Sequence, residues 1–155
     1  MADVGDASAL SCAAEATTGA PGGACSVSLV VPCYSLERVD DIHALLDSID
    51  RQTTPVDELL IVVQKSESLL ALVAERLSRM RVAGARALYV HGEPRVAPAR
   101  NVGVRHARGD VVAFADDDAV LAETWCEKTR AFYSDHPGAI GVAGAILPLW
   151  DTSSM

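Results

Sequence analysis

Three consecutive carboxylates, Asp116, Asp117 and Asp118, close the apolar run Val111-Val112-Ala113-Phe114-Ala115. Like charges held this close raise one another's pKa values, so they are ordinarily neutralised by a divalent cation or a cationic ligand. The run itself, opened by Gly109-Asp110, reads as a buried central strand of an α/β sheet, and such folds place their ligands at the carboxyl ends of strands. In an extended segment residues two apart share a face, so Asp116 and Asp118 are expected to point together and Asp117 elsewhere. That is an Asp-x-Asp clamp. Carboxylate oxygens with no neighbouring Cys or His suit a hard ion, Mg²⁺ or Mn²⁺, that leaves positions open for phosphate oxygens. The plainer reading is a solvated acidic turn capping a helix that begins near Glu123, and the apolar strand in front tips the balance towards the metal.

Three further groups fall at expected strand ends. Pro32-Cys33-Tyr34-Ser35 follows the first strand, where the Tyr34 ring could stack on a nucleobase or simply pack on the next helix. Gln64-Lys65-Ser66 follows the second, where an amide could read a base edge and Lys65 could meet phosphate, or the loop could only cap a helix. Arg95 to Asn101, with Gly103, opens the helix before the acidic strand. Small residues there allow close packing on the sheet, while Arg100 and the helix amino end offer positive charge to an anion or to a surface ion pair.

The elements that must hold these groups alternate strictly. Strands are expected over residues 27–31, 59–63, 87–90, 111–115 and 140–146, and helices over 39–51, 66–82, 98–108 and about 123–134. Strand and helix in turn make a mostly parallel, Rossmann-like α/β sheet with helices on both faces. Residues 1–25, rich in Ala, Gly and Ser and without a basic residue, are expected to be a disordered tail rather than a secretory signal. No stretch is long and apolar enough for a membrane span, the best candidate being interrupted at Pro148.

Composition limits the partners. A chain of 155 residues that is 50% hydrophobic supports one core. Its net charge of -8, with Lys only at Lys65 and Lys128, disfavours a nucleic-acid backbone as partner. Four cysteines, Cys12, Cys25, Cys33 and Cys126, have neither CxxC nor metal spacing and read as reduced thiols of a cytoplasmic chain.

Taken in order, "SLVVPCYS", a helix, "DELLIVVQKSES" and "APARNVGVRHARGDVVAFADDDAVLAETW" resemble the family 2 glycosyltransferases of the GT-A fold, over residues 27–150. The most specific stretch runs from Ala99-Arg100-Asn101 through Gly109-Asp110 to Phe114-x-Asp-x-Asp, with Trp125 beyond it. The resemblance implies that residues 26–155 are the donor-binding half of such a domain, incomplete at its C-terminus. It implies a nucleotide-sugar site in which Pro32 and Tyr34 line the base pocket, Gln64 reads the base, Arg100 approaches the diphosphate and Asp116 the ribose or sugar. Asp118, with Asp116, would hold the Mg²⁺ or Mn²⁺, and Asp117 could exchange roles with either.

The implied reaction is inverting, metal-dependent transfer of a sugar from a UDP- or GDP-type donor to a lipid-linked or saccharide acceptor. The alternative is a truncated, catalytically silent nucleotide-sugar-binding module. The catalytic base is expected downstream of this chain, since none of His43, His91, His106 or His136 lies in a matching position. Membrane contact is expected only through a lipid-linked acceptor or a missing C-terminal part, with the chain at the cytoplasmic face. Two residues depart from the family pattern: Gln64 stands where an acid is usual, and Ser35 where Asn is usual.

Overall fold

The computed structural model describes residues 25–149. The tail expected over 1–25 lies outside the described residues except for Cys25, and so do Trp150 and the residues after it. The chain runs β1 (Val27–Cys33), a single 3-10 turn (Leu36–Arg38), α1 (Val39–Asp50), β2 (Glu58–Gln64), α2 (Glu67–Leu77), β3 (Gly84–Val90), α3 (Val96–His106), β4 (Val111–Phe114) and α4 (Trp125–Asp135).

The strands form one four-stranded sheet in the order β3-β2-β1-β4, and every neighbouring pair is parallel. β1 and β2 are apolar almost throughout and buried along their whole length, as strands covered on both faces must be. The two-residue period then sorts their side chains. Leu29, Val31, Leu59, Ile61 and Val63 face a core shared with Ile42, Leu45, Leu46 and Ile49 of α1, Leu69 and Val73 of α2, and Cys126 of α4. Val30, Leu60 and Val62 face the other way, onto Ala99 of α3. Helices on both faces of a parallel sheet are what the alternation of elements predicts.

Small residues set how close α3 comes. A Cβ on Gly103 would overlap the Val30 side chain, so only glycine allows the helix to lie this near the sheet. Pro98 is tolerated because it stands in the first turn of α3, where backbone N–H groups have no intrahelical partner. Pro32 is tolerated in a central strand for a different reason. β1 pairs with β4 only through Val30, and beyond that residue β1 has β2 alone beside it.

The path of the chain creates the crevice. It moves outward from β1 to β2 to β3, then α3 crosses the opposite face and returns it to the far side of β1 as β4. In open parallel sheets ligand crevices lie at the carboxyl ends of the strands where the order reverses, here β1 and β4. The helices that follow these two strands, α1 and α4, both pack on the same face.

The amino end of the sheet carries acids too, and each is tied down. Glu58, 7% exposed, accepts from Ser28 Oγ at 2.6 Å, Arg86 Nη2 at 2.6 Å and the Arg108 N–H at 2.9 Å. Asp110 accepts from the Ser26 N–H and Oγ at 2.9 and 2.7 Å. Asp57 accepts from the Val27 N–H at 2.6 Å and from Arg130 at 2.7 Å. Burial raises the Glu58 pKa, but the bonds from Ser28, Arg108 and Arg86 outweigh it and leave the group below its ordinary value.

Three expectations are corrected. α2 ends at Leu77 rather than near 82, and β3 opens at Gly84, beneath the Asp57 carbonyl, rather than at 87. Arg38 ends an unexpected 3-10 turn capped by Ser35, whose Oγ accepts from the Glu37 N–H at 3.2 Å. The strand expected over 140–146 does not form. That segment carries Gly141 and Gly144 and leaves Ile140 and Ile146 almost fully exposed, with no strand among the described residues beside it to supply ladder bonds. Among the described residues no helix is long and apolar enough to cross a membrane.

Candidate functional site

A cleft of about 740 Å³ opens at the carboxyl end of the sheet, over the crevice between β1 and β4. Every site residue expected from sequence lines it: Pro32, Tyr34, Gln64, Arg100, Asp116, Asp117 and Asp118. Segments that lie far apart in the chain thus meet in one groove because four parallel strands end there together.

The acidic triplet lies beyond the strand. β4 ends at Phe114, and the triplet forms a turn in which the Ala119 N–H donates to the Asp116 carbonyl at 3.1 Å. The turn brings Asp117 and Asp118 onto one guanidinium, while exposure still alternates, with Asp116 and Asp118 open and Asp117 buried. Arg38 Nη1 donates to Asp117 Oδ1 at 3.0 Å and to Asp118 Oδ2 at 2.9 Å. Asp116 instead accepts from Arg100 Nη2 at 2.7 Å. The Arg100 guanidinium in turn lies 5.5 Å from the centre of the Phe114 ring, which holds it over the end of β4.

The three acids differ in environment. Asp117 is 6% exposed, whereas the side chains of Asp116 and Asp118 are 65% and 53% exposed. Burial pushes the Asp117 carboxyl above its ordinary value, Arg38 pulls it back, and the neighbouring Asp118 and Asp116 push it up again. The Cys33 thiol at the end of β1 is pushed to about 12, first by burial and then by Asp117, so it stays protonated and is no nucleophile. Cys25, Cys33 and Cys126 are all free thiols, as their spacing suggested, and Cys12 lies outside the described residues.

The far wall is built from β2 and α3. Gln64 is buried at the end of β2, and its Oε1 accepts from the Arg95 N–H at 2.8 Å. That bond ties the strand end to the residue preceding α3. It also fixes the amide orientation, because a backbone N–H can bond only to the oxygen, and so leaves the Gln64 NH₂ as a donor. Lys65 follows in the left-handed region at φ 66°, which turns its side chain over the cleft towards Glu93, 3.7 Å away. Tyr34, 49% exposed, presents an open ring at the opposite wall.

Four acids, Asp116, Asp117, Asp118 and Glu93, thus face four cations, Arg38, Lys65, Arg95 and Arg100, in a chain whose net charge is -8. So many cations gathered in an acidic chain suit an anionic ligand, and the carboxylates suit a cation that arrives with it. Asp116 and Asp118 offer exposed carboxylate oxygens, the donor class a hard divalent ion takes, while Arg38 sits between Asp117 and Asp118 and Arg100 on Asp116; among the described residues no three or more His, Cys, Asp or Glu side chains are gathered for an ion. Sequence reasoning missed Arg38. Its only signal was a cation in the loop after β1, four residues past Tyr34.

Comparison with known proteins points the same way. Residues 28–151 match the family model described as Glycosyl transferase family 2. Over 125 residues the chain is 33% identical to a glucosyl-dolichyl phosphate glucuronosyltransferase of Haloferax volcanii, covering 80% of this chain and 39% of that protein. The crystal structure of S. aureus TarS 1-349 in complex with UDP-GlcNAc shares the fold, with a TM-score of 0.64 at 22% identity over 80% of this chain and 38% of that one. A mannosyltransferase from Pyrobaculum calidifontis, in complex with GDP-Man and Mn²⁺, gives a TM-score of 0.56 at 26% identity over 66% of this chain and 30% of its own. The chain therefore spans less than half the length of these relatives.

Proposed function

The chain belongs to glycosyl transferase family 2, and on that premise we propose that its cleft binds a nucleoside diphosphate sugar together with Mg²⁺ or Mn²⁺ for transfer of the sugar with inversion. The observation that carries this reading is the convergence of the Asp116–Asp118 turn, Arg100, Gln64 and Tyr34 on one groove at the topological reversal. Tyr34 offers a ring face to the base, and the buried Gln64 offers its NH₂ to a base carbonyl. Arg100, a fixed guanidinium resting on Phe114, offers paired donors to the diphosphate. Asp116 takes the ribose or sugar and, with Asp118, the metal. The bound ion would supply Lewis-acid charge where the departing diphosphate becomes more negative.

An acceptor that is lipid-linked is supported by the Haloferax relative, whose name specifies a dolichyl phosphate glycolipid. A saccharide acceptor is the other member of this reading, which includes a cytoplasmic location, at the cytoplasmic face of a membrane where the acceptor is lipid-linked, and no nucleic-acid partner.

A second reading, donor binding without turnover, is favoured by one observation. Each cleft carboxylate is already paired with a cation: Asp116 with Arg100, Asp117 and Asp118 with Arg38, and Glu93 with Lys65. Each thus has a cationic partner, and no cleft carboxylate is singled out as the base for an acceptor hydroxyl.

Titration calorimetry with UDP and with GDP, in Mn²⁺ and then in chelator, tests the first reading. Binding is expected only with the ion, and Asp118→Ala should weaken it by at least about 100-fold, several kcal/mol of lost charge stabilisation. Equal binding in chelator would sink the metal role. Sugar release from the bound donor, assayed beside binding, separates the two readings: normal binding with undetectable turnover favours the second.

A further inference from the structure

We infer that Arg38 is an internal counter-cation for the acidic turn, a positioning residue that holds Asp117 permanently and releases Asp118 to an incoming divalent ion. The inference rests on the metal-dependent reading of the cleft and adds a residue, and an order of events, that the reading does not contain.

The geometry is specific. One nitrogen, Nη1, serves both acids, with Asp117 Oδ1 at 3.0 Å and Asp118 Oδ2 at 2.9 Å. These partners lie 79 and 80 residues away, so the contact bridges the loop after β1 and the turn after β4, across the crevice. Arg38 is free to reach because it precedes α1 without capping it: its side chain makes no cap hydrogen bond. A guanidinium stays charged at any working pH, so acid does not remove this cation from the cleft.

The two bonds are not equal. The Asp117 side chain is 9% exposed and the Asp118 side chain 53%. Withdrawing Arg38 from Asp117 would strand a buried carboxylate, which is strongly unfavourable. Withdrawing it from Asp118 would break a solvent-exposed pair, which is worth little. A divalent ion bringing twice the charge therefore has one cheap exchange open to it, at Asp118. Arg38, still anchored on Asp117, keeps its remaining donors for the anion that accompanies the ion. Without that anion, the ion must compete with a fixed positive charge a few ångströms away. Metal and diphosphate are thereby coupled: each makes room for the other.

The test is the affinity of the full chain for Mn²⁺ alone, read as free Mn²⁺ by paramagnetic resonance, followed by the same titration with saturating UDP or GDP. Arg38→Gln should bind Mn²⁺ alone about tenfold more tightly than the parent, and the tightening that nucleotide brings should shrink by a similar factor. Arg38→Lys, which keeps the charge, should stay near the parent in both. A folded Arg38→Gln, judged by circular dichroism, that binds Mn²⁺ alone no better than the parent overturns the inference. Should Arg38→Gln fail to fold, the Arg38 side-chain N–H resonance of the parent decides: a shift on adding Mg²⁺ supports the exchange, and an unmoved resonance at saturating Mg²⁺ overturns it. A parent chain that binds nucleotide equally well in chelator would instead refute the metal reading, which is a different result.

Discussion

Both ends of this sheet carry buried or half-buried acids, and the chain treats them in opposite ways. At the amino end, Glu58 is surrounded by Ser28, Arg86 and the Arg108 N–H, and Asp110 by the backbone and hydroxyl of Ser26. Both sit below their ordinary pKa, Asp110 through the Ser26 bonds and Glu58 because the same kind of bonds outweigh its burial. At the carboxyl end, Asp117 has one guanidinium shared with Asp118, and its pKa is raised by burial and by its neighbours. Acids given several donors of their own hold loops to strands. Acids crowded against one another, with one guanidinium shared between two of them, oppose stability and stay available to a ligand.

The largest effect should come from the amino end. Glu58→Ala leaves Arg86 and Ser28 without their buried acceptor and is expected to destabilise the fold by about 3 kcal/mol, read by urea denaturation. At a temperature where the variant is still folded, nucleotide affinity should match the parent, because Glu58 lies at the far end of the sheet. A loss below about 1 kcal/mol would show that the two acid clusters are less different than their bonds suggest.

Asp117→Asn is expected to change stability at neutral pH by no more than about 1 kcal/mol, since it removes an ionisation that folding disfavours. The sharper test is pH. A raised folded pKa gives stability that is present in acid and is lost as pH rises through that value, so the parent should gain stability on acidification from neutrality towards the ordinary carboxylate range. Asp117→Asn should lack this gain. Below that range the lowered groups take over. Glu58 and Asp110 contribute stability present above their unfolded values and lost as pH falls through their folded ones, so both proteins should then weaken together. A parent and variant with superimposable profiles would break the contrast.

The smallest effect belongs to Asp116→Asn. Its bond to Arg100 joins two substantially exposed side chains, so the change in stability should stay within about 0.5 kcal/mol by thermal melting. Nucleotide binding should suffer more than stability does, and the reverse order would make Asp116 a structural acid after all.

Most of the sheet was legible in the sequence because its signals are local. The apolar runs of β1 and β2 and the spacing of Ile42, Leu45, Leu46 and Ile49 each report a buried face directly, whereas β4, expected as a buried central strand, is a half-buried edge strand with Phe114 exposed. The site residues were legible through their position at strand ends and through the family resemblance, and all of them line the cleft. What the residues alone could not disclose depends on contacts between distant segments. The turn at Asp116 begins two residues after β4 ends and brings Asp117 and Asp118 onto one guanidinium, a grouping that no strand period reports. Arg38 becomes a site residue only because the loop after β1 and the turn after β4 end up side by side. The apolar stretch at 140–146 reads as a strand by composition, yet a strand is defined by its partner, and none of the described strands lies alongside it.

The position of β1 between β2 and β4 has a consequence for how the protein is made. β1 leaves the ribosome first of the four strands, but its pairing of Val27 with Val111 waits for a segment 84 residues later. At synthesis rates of about 5–20 residues per second, that central strand spends on the order of ten seconds with one apolar edge open. Ser26 just before it and Ser28 within it, which later bond Asp110 and Gly109, are without those partners throughout. The nascent chain is therefore most exposed to misassociation along β1, and the cleft comes into being only when β4 closes that edge and carries the acidic turn to Arg38.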